Sequence, residues 1–259
     1  MRLSFVPIYK RELRAYFQNP GVYVTLAIFL GVSSLFIFSH VNAFADLCMR
    51  RQMMQQQFGM QPLNFTEFVV KGSFGLISFL LIFVVPLLTM RLFAEEKKTG
   101  TFELLSTCPV TDWGMVIGKY LAAVTILVVF FILSLVYPVT FGLVGEAEWP
   151  IVMTSYLALL LLGMAYVALG LFASSLTQNQ IIAAVVTFFA LLAFFFVGDL
   201  GIGRASGLDK VLGGFSLLKH SDPMIQGTIK SEDVAYFVLF SAGFLFLTNY
   251  VLESRRWRV

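Results

Sequence analysis

Long apolar runs separated by short polar segments fill most of the chain. A helix needs about 20 such residues to cross a hydrocarbon core. Six runs meet that length: 20–40, 68–90, 115–144, 150–174, 180–199 and 233–252. The pattern predicts an all-α membrane protein with six transmembrane helices, forming a single transmembrane domain over residues 1–259. Pro20 can open the first span, because a missing N–H does no harm in a first helical turn. The third run is longer than a bilayer requires, so it should tilt, kink at Pro138 or project beyond the membrane. The fourth and fifth are joined only by SSLTQNQ, where Asn179 is placed to cap the fifth.

The polar intervals carry their own periodicity. Within residues 1–19, positions 4–17 place Phe5, Val6, Tyr9, Leu13, Tyr16 and Phe17 on one helical face, with Lys10, Arg11 and Arg14 on the other. This predicts an amphipathic helix lying in the membrane interface. Residues 41–67, rich in Gln and Met, are expected to form a loop. In residues 200–232, Leu208, Val211, Leu212, Phe215 and Leu218 recur at helical spacing. Ser221-Asp222-Pro223 then reads as a second helix start, Gly227 as its stop and Ser231 as the N-cap of the last span. Two short helices at the outer interface are the expectation.

Composition sharpens this picture. The chain of 259 residues is 58% hydrophobic and only 13% charged, far from a soluble domain. The basic residues decide orientation. With the N-terminus inside, eleven of the 18 Lys and Arg residues fall on the cytoplasmic side, among them Lys10, Arg11, Arg14, Arg91, Lys97, Lys98 and Lys119. The acidic loop GEAEW falls outside, so both termini are expected in the cytoplasm. Trp257, among Arg255, Arg256 and Arg258, would anchor the last helix. Cys48 and Cys108 lie on opposite sides and should not pair. The first residues lack a cleavable leader pattern, so the mature protein is expected to start near Met1.

The sequence excludes several chemistries. Gly114-Met-Val-Ile-Gly118-Lys119-Tyr120 imitates a phosphate-binding loop but has three residues between its glycines instead of four, and Tyr where the magnesium-binding Ser or Thr belongs. Met49, Met53, Met54 and Met60 with Cys48 could suggest Cu(I), but their spacing favours a packed loop and no metal site is expected. His40 and His220 have no partner at ligand spacing and read as hydrogen-bonded residues of the outer interface. Asn64-Phe65-Thr66 is a glycosylation sequon without a secretory context. The cores of the spans hold no ionisable residue, whereas a proton-coupled carrier needs such a relay. A stand-alone carrier and an intramembrane enzyme are therefore disfavoured.

The segment 91–114 is too elaborate for a simple turn. Glu95, Glu96, Lys97 and Lys98 supply charge, Thr99-Gly100-Thr101 breaks the helix descending from the second span, and Phe102, Leu104 and Leu105 form an apolar knob. Pro109 and Thr111-Asp112 end one segment and cap the next. A short helix between two membrane helices can act as a lever on both.

At these residues the chain resembles the ABC-2 type permeases, membrane subunits of ATP-binding cassette exporters (the type V exporter fold). The resemblance rests on YKRELRAYFQNPG, MRLFAEEKKTGTFELLSTCPV, LFASSLTQNQIIAA and FSLLKHSDPMIQGTIKSEDVAYF. It is closest in character to the gliding-motility-associated permeases, and more distantly to the permeases of copper-site assembly in nitrous oxide reductase. It implies a bacterial inner-membrane protein that pairs with a second permease copy or a related permease, each docked on an ATPase subunit. That subunit would hold ATP and magnesium; no cofactor, catalytic residue or nucleic-acid partner is expected here, and membrane lipid is. The resemblance assigns ATPase docking to Lys10, Arg11, Glu12 and Arg14, and to Glu95, Glu96, Lys97, Lys98, Thr101, Phe102, Glu103, Leu104 and Leu105. It places Leu208, Leu212, Phe215 and Leu218 at an external exit. The implied function is coupling of ATP hydrolysis to movement of a hydrophobic or envelope-related substrate. The alternative is a mechanical scaffold driven by the same kind of ATPase.

Overall fold

The computed structural model describes residues 5–58, 64–101, 111–144, 148–198 and 213–256. These form helices α1 (Phe5–Gln18), α2 (Pro20–Phe58), α3 (Lys71–Thr89), α4 (Ala94–Lys98), α5 (Asp112–Ser134), α6 (Val136–Val144), α7 (Trp149–Leu176), α8 (Gln180–Phe196), α9 (Leu217–Ile225) and α10 (Ser231–Arg256), with no strand among the described residues. A single π-helical turn, Thr66–Val70, leads into α3.

Five apolar helical stretches are long enough to cross a membrane: Pro20–Arg51, Thr66–Lys98, Asp112–Gly142, Trp149–Leu176 and Ser231–Ser254. Helix α8 is apolar but has 17 residues, which at 1.5 Å each is about 26 Å. The middle of the bundle is α7, which packs against α3, α5, α8, α9 and α10. Of its most apolar window 72% is buried, against 17% for α2 and 22% for α10, so α2 and α10 form the rim. Small residues let the central helices close up, which is how apolar helices associate without a hydrophobic force between them. At Gly170 of α7 a Cβ would come within 2.3 Å of the Thr89 Oγ1 of α3, so no larger residue fits that crossing.

Several expectations hold. Helix α2 starts at Pro20. Thr111 caps α5 by accepting from the Gly114 amide at 3.2 Å, and Asn179 caps α8 by accepting from the Ile181 amide at 2.9 Å. The third run does kink: α5 ends at Ser134, one residue interrupts it, and α6 continues from Val136. Pro138 explains the position, since a proline cannot donate to the carbonyl four residues back. That carbonyl belongs to Ser134, and the Tyr156 hydroxyl of α7 donates to it at 2.9 Å.

Other expectations are corrected. The loop assigned to residues 41–67 is helical as far as Phe58, because α2 runs on without a break. Asn42–Phe58 is rich in Gln, Met, Arg and Ala, all good helix formers. Phe44 braces this extension edge-on against Phe65, 5.2 Å between ring centres, and Phe65 is itself buried. Ser221-Asp222-Pro223 does not start a helix: it lies inside α9, which begins at Leu217 and is capped by Ser216, whose Oγ accepts from the Lys219 amide at 3.4 Å. Gly227 does end α9, with the Thr228 amide returning to the Pro223 carbonyl at 2.9 Å. Helix α9 packs into the bundle, with Leu217, Ser221, Met224 and Ile225 buried, and Phe215 remains exposed before it. The apolar face of α1 differs from the expected one: Ile8 and Tyr16 are buried, Tyr9 and Leu13 partly so, and Val6 and Phe17 face outward. Leu208, Leu212 and Trp257 lie outside the described residues, as do Phe102, Glu103, Leu104 and Leu105.

Candidate functional site

Between α3 and α4 the regular α-helix is interrupted through Met90, Arg91, Leu92 and Phe93. A helix end leaves carbonyls without intrahelical partners. Here three other helices supply them. The buried Tyr16 hydroxyl of α1 donates to the Leu88 carbonyl at 2.8 Å. The Ser174 hydroxyl of α7 donates to the Met90 carbonyl at 3.1 Å and accepts from the Phe93 and Ala94 amides, also at 3.1 Å. The Lys119 ammonium of α5 donates to the Leu92 carbonyl at 2.6 Å. Burial pushes the Tyr16 hydroxyl well above the usual phenol range, so it stays protonated and remains a donor.

Lys119 is the centre of this joint. Its side chain is 1% exposed, and its ammonium lies 3.0 Å from Glu12 Oε1 and 2.9 Å from Glu96 Oε2. The contact with Glu12 is a hydrogen bond; that with Glu96 is an ion pair without hydrogen-bond alignment. The Phe93 ring lies under the ammonium, 5.1 Å from its centre. Arg11 closes the circuit by donating to Glu12 Oε1 at 2.6 Å and to Glu96 Oε1. Two cations and two carboxylates thus form a neutral ring linking α1, α4 and α5. Buried charges persist only when paired this completely. Burial alone would raise the Glu12 carboxyl, but Lys119 and Arg11 outweigh it and hold Glu12 below the usual carboxylate range.

The helix faces are shaped for this contact. At Gly118 a Cβ would lie 3.1 Å from Ile8 side-chain carbons and from the Phe5 carbonyl oxygen, so glycine lets α1 lie close along α5. Tyr9 adds a hydroxyl hydrogen bond to Thr125 at 3.1 Å. The sequence Gly118-Lys119, dismissed as a nucleotide loop, is thus a packing notch followed by a buried cation. Lys119 was expected to be a cytoplasmic surface charge; its burial was missed because its partners lie 107 and 23 positions away.

The docking residues named from the sequence divide into two groups. Arg11, Glu12 and Glu96 belong to the ring, and Lys97 donates to the Ser175 carbonyl at the end of α7. Lys10, Arg14, Lys98 and Thr101 are exposed, and Glu95 is half exposed, 3.6 Å from Arg91. Thr99 and Thr101 hydrogen-bond to each other at 2.9 Å around Gly100, where the backbone takes a φ of 71°. The ring therefore sits at the root of the segment that continues into residues 102–110. Beside it opens a cleft of about 410 Å³, lined by Arg11, Tyr16, Asn19, Arg91, Glu95 and Thr101, among others.

At the opposite end of the bundle, His220 Nδ1 and Asp233 Oδ1 are 2.7 Å apart, joining α9 to α10. The imidazole stacks on Tyr236 with 4.0 Å between ring centres. His40 bonds the Phe36 carbonyl at 2.9 Å. Among the described residues no group of three His, Cys, Asp or Glu side chains is arranged to hold a metal.

No curated protein matches this chain. Residues 49–212 match the family model described as ABC-2 family transporter protein. The match covers more than half of the 259 residues and contains the α3–α4 joint, the root of the 102–110 segment and the α7–α8 turn. The chain therefore belongs to the ABC-2 family of transporter proteins, as a multi-pass membrane permease component of an ABC transporter.

Proposed function

We propose that this permease couples ATP hydrolysis by a separate cytoplasmic subunit to movement of a hydrophobic or envelope-related substrate across a bacterial inner membrane. The observation that carries this reading is the charged ring, which fastens α1, α4 and α5 together beside the root of the 102–110 segment. A push on that segment reaches α3 and α5 through a joint whose Leu88, Met90 and Leu92 carbonyls are held by other helices, so little motion is lost in the linkage. The exposed Lys10, Arg14, Glu95 and Lys98, with Phe102, Glu103, Leu104 and Leu105, form the docking surface for the ATPase. In this reading six helices cross the membrane, with α8 as the short one, both termini are cytoplasmic and the permease acts as a pair. Phe215 and Leu218, with Leu208 and Leu212, stand near the exit.

The uniformly apolar spans suit an amphiphilic cargo better than a small ion. The test is co-purification with the ATPase encoded by the same host, followed by ATPase and transport assays in vesicles. Leu104→Asp or Glu103→Arg should leave membrane levels and ATP binding intact while ATP hydrolysis no longer drives transport. Normal coupling in both variants would remove the docking assignment.

A further inference from the structure

The cleft beside the ring is lined by the ring itself and by further side chains, Arg91 above all, to which coupling assigns no task. Its walls carry three cationic side chains, Arg11, Arg91 and Lys119, and three anionic ones, Glu12, Glu95 and Glu96. The ring neutralises four of these among themselves. Arg91 and Glu95 are left at the mouth, 41% and 47% exposed and only 3.6 Å apart. Their order, cation four residues before anion, is the weaker one for a helical pair. The Nε of Arg91 is moreover buried without a hydrogen-bond partner. A guanidinium with an unused donor in a concave site is a ready donor to phosphate oxygen.

The depth of the cleft points to the source of that phosphate. Asn19 on its rim immediately precedes Pro20, the first residue of a membrane-length apolar helix, and Leu92 lies just past the end of α3. The cleft therefore sits where two spans leave the hydrocarbon, at the level of lipid headgroups. Ala15, Tyr16 and Leu92 give the cleft an apolar part to its lining. The volume of about 410 Å³ falls within the range of small-ligand sites, ~300–1,000 Å³.

We propose that this cleft binds the headgroup of a zwitterionic phospholipid of the phosphatidylethanolamine type, with the phosphate on Arg91 and the ammonium on Glu95. A wall of balanced charge gives no net attraction to an anionic lipid, whereas the separated pair at its mouth matches a headgroup bearing both signs. The lipid opens the weak Arg91–Glu95 contact and replaces it with two charge-assisted hydrogen bonds.

The test is native mass spectrometry of the purified full-length chain, without the ATPase, equilibrated with equimolar phosphatidylethanolamine and phosphatidylglycerol. Wild-type protein should retain phosphatidylethanolamine at least tenfold over phosphatidylglycerol. Arg91→Gln should lose that retention, and Glu95→Gln should lose the preference while still holding phosphate-bearing lipid. Equal retention of both lipids, or retention unchanged in both variants, overturns the proposal. Tight binding of free phosphoethanolamine with no lipid retained would assign the cleft to a soluble ligand and overturn it as well. So would a cleft that retains neither lipid nor free phosphoethanolamine. Because the ATPase is absent from the binding measurement, these outcomes are independent of the coupling reading.

Discussion

The two ends of the bundle solve the same problem, holding a charged group inside an apolar protein, at different scales. At one end, four charges on three helices form a closed ring in which every ion touches two of opposite sign or a carbonyl. At the other, one His220–Asp233 contact joins two helices, and the second carboxylate oxygen of Asp233 is buried without a hydrogen-bond partner. In the first arrangement, deleting any member takes one partner from each of two others. The second is an open clasp, with one bond to break and one acceptor unused. A molecule whose two ends are fastened so differently can hold one end as a rigid joint while the other changes its packing.

Lys119→Met tests the contrast most severely. It leaves Glu12 and Glu96 with one cation between them and strips the Leu92 carbonyl of its donor, at a cost of about 3–5 kcal/mol. The expected readout is a large fall in the thermal midpoint of the detergent-solubilised protein. Adding Glu12→Gln and Glu96→Gln to Lys119→Met should recover part of it, because the one ring charge then left, Arg11, is half exposed to solvent. A single variant as stable as wild type would show that the ring does not hold this end.

His220→Phe keeps the stacking on Tyr236 but leaves Asp233 buried with no partner. The expected loss is smaller, about 1–3 kcal/mol, with hydrogen exchange accelerated in α9 and unchanged at the α3–α4 joint. Exchange that rises equally at both ends would mean that the ends are not independent.

Acid should separate the ends least, and only below neutrality. The Glu12 carboxyl sits below its ordinary value of 4.5 in the folded protein. A depressed acid contributes stability above its unfolded value, and that contribution is lost as pH falls through the folded one. Thermal stability should therefore not respond to Glu12 between about pH 6 and pH 8, and wild type should converge on Glu12→Gln only in acid below 4.5. Convergence at neutral pH would contradict the ring's electrostatics.

Much of this architecture was readable from periodicity and punctuation. Pro20, Asn179, Thr111 and Gly227 act locally, through hydrogen bonds or backbone angles within a few residues, and sit where the pattern put them. What escaped was either a conflict of signals or a contact distant in sequence. Residues 42–58 looked like a loop because they are polar, although their helix propensity is high; outside the hydrocarbon a helix no longer needs to be apolar. Pro223 looked like a first-turn residue yet stands seventh in α9, which is short enough to lose one amide bond without breaking. Lys119 could be read as a charge at a helix end, but not as a buried one. Its burial depends on Glu12 and Glu96 arriving from separate elements, and only Gly118 beside it hinted at close packing. Ser174 likewise lay inside a motif whose position was plain and whose task, bridging the break between α3 and α4, was not.

The long helix α2 turns the joint into something with reach. Only Asn19 separates it from α1, and that turn has no slack: Asn19 Oδ1 accepts from the Gly21 amide at 3.0 Å, and the Tyr23 hydroxyl donates to the Phe17 carbonyl at 2.8 Å. With 39 residues at 1.5 Å each, α2 is a rod about 58 Å long, nearly twice the thickness of a bilayer core. Any rotation of α1 about the ring becomes a sweep of the far tip of α2 in proportion to that length. A displacement too small to open a path at the pivot would still be a stroke at Phe58, the far end of that rod.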